Sequence, residues 1–108
     1  MKRPKRLLIS PHWYEVKTDP DLSTKGGVVG TCMTDTQVIL IDDQLGSTTE
    51  IETVTHEGLH GAWHQTGLAK NYTDEQEEEV IWSLTPRIIA MLRDNPEYVM
   101  WLMEGVEP

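Results

Sequence analysis

Residues 53–67 read TVTHEGLHGAWHQTG, and the fold turns on how this stretch is read. His56, His60 and His64 recur every four residues, just over one helical turn, so their side chains rise from one helix face. The helix extends upstream into DDQLGSTTEIE, residues 42–52, where Ser47 with Glu50 three residues on fits a capping box. It should run from about residue 48 to about 65 and stop near Gly67, a good left-handed residue just past a helix end. On this helix Ile51, Val54, Gly58, Leu59 and Ala62 lie on one side and should face a sheet. Thr49, Thr53, His56, His60 and Trp63 lie on the opposite side.

The sheet has to come from the residues before that helix. RLLI (6–9) and HWYEVKT (12–18) are β-rich segments around Pro11, two short strands or one bent strand. DPDLSTKGG (19–27) is dense in turn formers and reads as a loop. VVGTCM (28–33) and QVILID (37–42) flank TDT, a hairpin signal. Val38 and Leu40 alternate with Ile39 and Ile41, so this strand is apolar on both faces and should be central.

After Gly67, Thr73 with Gln76 forms a second capping box, predicting a helix over 74–93 with the stripe Val80, Ile81, Leu84, Ile88, Met91 and Leu92. Pro86 lies inside it and should kink it near 82–86. A last short helix follows, with Asn95 as N-cap and Pro96 in the first helical position. The expected fold is therefore one α+β domain over 1–108: a three- to four-stranded, mostly antiparallel sheet, the histidine helix, a kinked second helix and a short C-terminal helix.

Composition narrows the function classes. The net charge is −9, and MKRPKR at the start holds four of the nine basic residues. Such an acidic body repels phosphate, which argues against nucleic-acid binding, and the basic start reads as a solvated tail. The apolar run behind it, LLI, is too short for a signal peptide, and no stretch approaches a membrane span. A soluble, cytoplasmic protein is the expectation. The one cysteine, Cys32, sits in a strand-like segment and reads as an inert, half-buried thiol.

The central stretch contains HExxH at residues 56–60. On a helix, two imidazoles at this spacing converge on one point about 2.1 Å from each nitrogen and can chelate zinc. Glu57 lies about 100° around the helix from His56, placed to reach a water beside the ion without ligating it, which suits a general base. His64 is eight residues from His56, about 12 Å along the axis, so it cannot join the same ion. The third ligand should be a carboxylate from DEQEEEV, residues 74–80. Glu77 is in phase with Val80, Ile81 and Leu84 and is the preferred residue, with Glu78 as the alternative.

THEGLHGAWHQTGL (55–68), EEEV (77–80) and LTPRIIAMLRDNPEYVMWL (84–102) together resemble small HExxH metallopeptidase-like proteins encoded by tailed bacteriophages. ISPHWYEV (9–16) and the hairpin ending ILID are similar too, so the resemblance covers most of the chain. More broadly it looks like a minimal gluzincin-type zincin. The resemblance implies zinc at His56, His60 and a glutamate of the 77–78 pair, Glu57 as catalytic base, and a peptide or protein substrate. Many gluzincins carry an aspartate four residues after the ligand glutamate to orient a histidine. Here that position is Ile81 or Trp82, so the orienting residue is open. Tyr72, His64, Tyr14, His12 and Arg87 are candidate donors to an oxyanion. A non-catalytic zinc-binding interaction or regulatory module is the alternative reading, and a zinc hydrolase acting on something other than peptides is a third.

Overall fold

The computed structural model describes residues 1–105, the Lys25 side chain excepted. Strands β1 (Arg6–Ile9), β2 (His12–Asp19), β3 (Gly30–Met33) and β4 (Val38–Asp42) precede the long helices α2 (Ser47–Thr66) and α3 (Asp74–Asp94) and the short α4 (Pro96–Glu104). A five-residue helix α1 (Leu22–Gly26) occupies the segment expected to be a plain loop, and a single 3₁₀ turn (Leu68–Lys70) joins α2 to α3. The four strands form one mixed sheet in the order β1-β2-β4-β3. Two pairings are antiparallel, β1 with β2 and β3 with β4, while β2 and β4 run parallel. The strand β4, apolar on both faces, is central as expected, and β3 lies at an edge.

One face of the sheet carries the core. Tyr14 and Val16 from β2 and Ile39 and Ile41 from β4 alternate onto the same face, where Val54 of α2 joins them. Tyr14, Ile39 and Ile41 are wholly buried. On the other face Leu8 and Trp13 stay half exposed, and the Arg6 guanidinium lies 4.1 Å over the Trp13 ring. The basic start is thus not simply a solvated tail, since Arg6 stacks and Arg3 pairs with Glu50.

The pose of α2 differs from expectation. Its buried residues are Thr53, Val54, Glu57 and Gly61, while Ile51 is exposed. Gly58 lies against Leu7, and Gly61 lies against Ile9, Tyr14 and Cys32. At 100° per residue this turns the sheet-facing side by roughly 90° from the one centred on Ile51, Gly58 and Ala62. The cause is close approach. A Cβ on Gly61 would sit 2.9 Å from Ile9 Cδ1, and one on Gly30 would sit 2.6 Å from Thr53 Cγ2 and 3.1 Å from Glu57 Cγ. Bare backbone at these two positions lets the helix roll Glu57 inward against β3.

The ends of α2 also split. Gly67 closes it in the left-handed region (φ 79°), as expected. The Ser47–Glu50 capping box does not form, because Gly46 takes the N-cap and Glu50 pairs with Arg3 instead. The Thr73–Gln76 box of α3 does form, with both hydrogen bonds present. The α3 helix runs unbroken through Pro86. Its buried residues are Ile81 and Thr85, with Ile88 and Leu92 half-buried, whereas Val80, Leu84 and Met91 are exposed. The Thr85 hydroxyl donates to the Ile81 carbonyl (2.7 Å), so this polar residue can take a core position. Among the described residues, no helix is long and apolar enough to cross a membrane.

Candidate metal centre

The roll of α2 that buries Glu57 leaves His56 and His60 at the flank of the helix, next to α3 rather than opposite the sheet. Their Nε2 atoms lie 3.2 Å apart, with the rings edge to face at 4.8 Å between centroids. Two nitrogens on one tetrahedral ion at about 2.1 Å are separated by about 3.4 Å, so the pair is preset for chelation.

Both glutamates of the 77–78 pair reach the histidines, and they do different things. The Glu78 carboxylate faces both Nε2 atoms, with Oε1 2.9 Å from His56 and Oε2 2.8 Å from His60. Glu77 Oε2 lies 2.5 Å from His60 Nδ1. A carboxylate there accepts the Nδ1–H and leaves Nε2 as the lone-pair nitrogen, the tautomer a metal requires. The geometry thus favours the alternative of the pair, Glu78, over Glu77 as the residue facing both Nε2 atoms. His56, His60 and Glu78 place their donor atoms within 4.8 Å of one another, while Glu77 lies against the other ring nitrogen of His60.

The physical reason lies in the phase of α3. With Ile81, Thr85, Ile88 and Leu92 turned inward, the centre of the packed face falls about midway between Glu77 and Glu78. Each glutamate then flanks the contact by about 50°. Glu77 points to the inner ring nitrogen and Glu78, half exposed, points to the outer pair. Reading Val80 and Leu84 as inward put the centre on Glu77, because nothing in residue type marks Thr85 as buried.

Glu57 stands apart from the chelating group, with Oε2 3.9 Å from His56 Nε2. Burial is the largest influence on it and lifts its pKa from 4.5 to about 7, with the positive field of His60 working against the rise and the charge of Glu78 adding to it. Burial also lowers the pKa of His56. On His60 burial pulls downward, but the bond to Glu77 and the charges of Glu57 and Glu78 outweigh it, and the pKa rises. Cys32, on the neighbouring strand, is pushed up to about 11 by burial and by the Glu57 and Glu77 charges, consistent with an inert thiol.

These groups sit in a cleft of about 790 Å³ between β3, α2 and α3. Gly30 and Thr31 of the edge strand form one wall. Trp82 forms part of another, its ring 6.1 Å from that of His56 and largely exposed. Sequence reasoning did not mark Gly30 or Trp82. The one cue for Trp82 was its place four residues after Glu78, one turn along the same face. Of the five oxyanion candidates, His64 alone lines the cleft. Tyr14 is wholly buried in the core, and Tyr72 packs against Trp63 at 5.6 Å.

No family model, no curated protein and no solved structure matches this chain.

Proposed function

We propose that this chain is a zinc-dependent peptidase that cleaves an extended peptide laid along β3. The observation that carries the reading is the division of labour around the two Nε2 atoms. Glu78 faces both of them, while Glu57 stays outside the group, buried and 3.9 Å from His56. Two imidazoles and one carboxylate are a donor set that suits zinc and leaves a coordination position open, the pattern of catalytic rather than structural sites. His56, His60 and Glu78 would hold the ion, and when bound it would supply an acidified water and a polarised scissile carbonyl.

The protein's own part follows from its residues. Glu57 takes the proton of the attacking water and passes it to the leaving amine. In the metal-free protein its burial raises its pKa to about 7. Glu77 holds His60 in one tautomer and orientation. β3 is an edge strand along the cleft, and an unpaired strand edge is a template for an extended peptide. His64, one turn beyond His60 and lining the cleft, would be the donor to the developing oxyanion. The resemblance of the sequence to small phage-encoded HExxH proteins points the same way, which would put the enzyme in the cytoplasm of a host cell.

The test is turnover of fluorescently labelled, denatured casein by the zinc-loaded protein and by Glu57→Gln. The wild type should release label, and the variant should keep one zinc by elemental analysis while losing at least ~100-fold in rate. Zinc binding with no cleavage by the wild type, or unchanged cleavage by the variant, would overturn the peptidase reading and favour a metal-binding module.

A further inference from the structure

The cleft is lined by five carboxylates, Glu52, Glu57, Asp74, Glu77 and Glu78, and among the described residues by no lysine or arginine. The chain as a whole has 9 basic side chains to 18 acidic ones, so a patch of average composition with five carboxylates would carry two or three cations as well. A divalent ion on His56, His60 and Glu78 would offset two of these charges and leave the cleft negative. Glu57 points the same way. It is 7% exposed, opens into the cleft and accepts no hydrogen bond among the described residues, with the His56 nitrogen 3.9 Å away. A buried carboxylate without a donor is costly until a cation or donor reaches it.

Two of the five carboxylates stand clear of the centre, on opposite sides of it. His60 meets Glu77 and Glu78, while His56 meets Glu78 and Trp82, so α2 and α3 run antiparallel. Glu52 lies one turn before His56 on α2, and Asp74 lies one turn before Glu78 on α3. Each is thus about 6 Å along its helix from a residue of the chelating group, in opposite directions along the cleft. Both are exposed, and neither has an ion-pair partner among the described residues. At the Glu52 end Trp82 is 72% exposed. An open indole face accepts a cation, as Trp13 does elsewhere in this chain with Arg6 4.1 Å over its ring.

We propose that the cleft selects peptides that are basic on both sides of the scissile bond, with Glu52 and Asp74 each binding a lysine or arginine of the substrate. This rests on the peptidase reading and names its substrate class. An extended chain advances about 3.3 Å per residue, so 6 Å is about two residues to either side of the one over the centre. Side chains two apart on a strand share a face, so both cations of a peptide laid along β3 would point to the helices.

Failure of the charge selection and failure of the peptidase reading are told apart by two measurements. In the first, a labelled alanine-based peptide with lysine two residues either side of a central leucine is bound to the zinc-loaded Glu57→Gln protein, beside matched glutamine and glutamate versions. Fluorescence anisotropy should give the lysine peptide ~10-fold tighter binding than the glutamine peptide at low salt, about 3-fold for each exposed pair, and the glutamate peptide the weakest. The preference should fade in ~0.5 M salt. Adding Glu52→Gln and Asp74→Asn together should bring the lysine and glutamine peptides close to parity. Glu97→Gln on α4, outside the cleft, should leave the preference intact. Equal binding of the three peptides, or an equal loss from Glu97→Gln, would overturn the proposal. In the second, the wild type is given the same peptides and cleavage is followed by mass spectrometry. Selective binding of the lysine peptide with no cleavage would remove the peptidase reading and keep the selection for cations. Cleavage of all three peptides with one kcat/KM would keep the peptidase and remove the selection.

Discussion

The two helix contacts of α2 are built from opposite materials. Against the sheet, α2 meets Tyr14, Val16, Ile39 and Ile41, with two glycines drawing the backbones close. Against α3, it presents His56 and His60 to Glu77 and Glu78, and Ile81 is the apolar side chain of α3 that is buried there. The first contact removes hydrocarbon from water and carries the fold. The second gathers carboxylates and imidazoles whose mutual repulsion and desolvation a cation would relieve. The fold thus rests on one side of α2, and the other side is free to serve chemistry at some cost in stability.

Breaking the apolar side should have the largest effect. Ile39→Ala removes a wholly buried side chain from the central strand and should cost about 2–5 kcal/mol in urea unfolding, with or without metal. A loss below ~1 kcal/mol would mean that the sheet face is not the seat of stability.

The polar side should show itself in pH. In the metal-free protein burial raises the Glu57 pKa from 4.5 to about 7. Between those values the folded chain holds a proton that the unfolded chain has released. Stability from this group is therefore full below the lower value and falls as pH rises toward the upper one, by up to ~3 kcal/mol. Urea melts of wild type and Glu57→Gln at pH ~4.5 and ~7.5 should diverge in that sense, the variant keeping the stability that the wild type loses. Parallel pH profiles would show that the carboxylate is not desolvated.

Much of the fold was legible because its signals are local. The β4 alternation, the Thr73–Gln76 box, Gly67 and the four-residue spacing of His56 and His60 each depend on neighbours in the chain. What stayed hidden depends on partners far away. The roll of α2 is set by Gly61 against Ile9 and by Gly30, distant in sequence on β3 but packed directly against Thr53 and Glu57. The capping box at Ser47 gives way because Arg3 reaches Glu50. That Glu78 rather than Glu77 faces both Nε2 atoms follows from Thr85 satisfying its hydroxyl within α3 and turning inward, which no apolar pattern reveals. The phase of a helix known only from its apolar residues is uncertain by about half a residue step, and two adjacent glutamates cannot be ranked on that.

The claim that His56, His60 and Glu78 bind a cation while Glu77 orients His60 is tested most directly by zinc titration calorimetry on wild type, Glu78→Gln and Glu77→Gln. The wild type should bind one zinc per chain. Glu77→Gln should bind ~10–100-fold more weakly, as for loss of an orienting carboxylate, and Glu78→Gln should lose at least ~10-fold more than that. If Glu78→Gln keeps wild-type affinity while Glu77→Gln loses zinc, the assignment of the two glutamates is reversed. If the wild type binds no zinc, the site is not a metal centre.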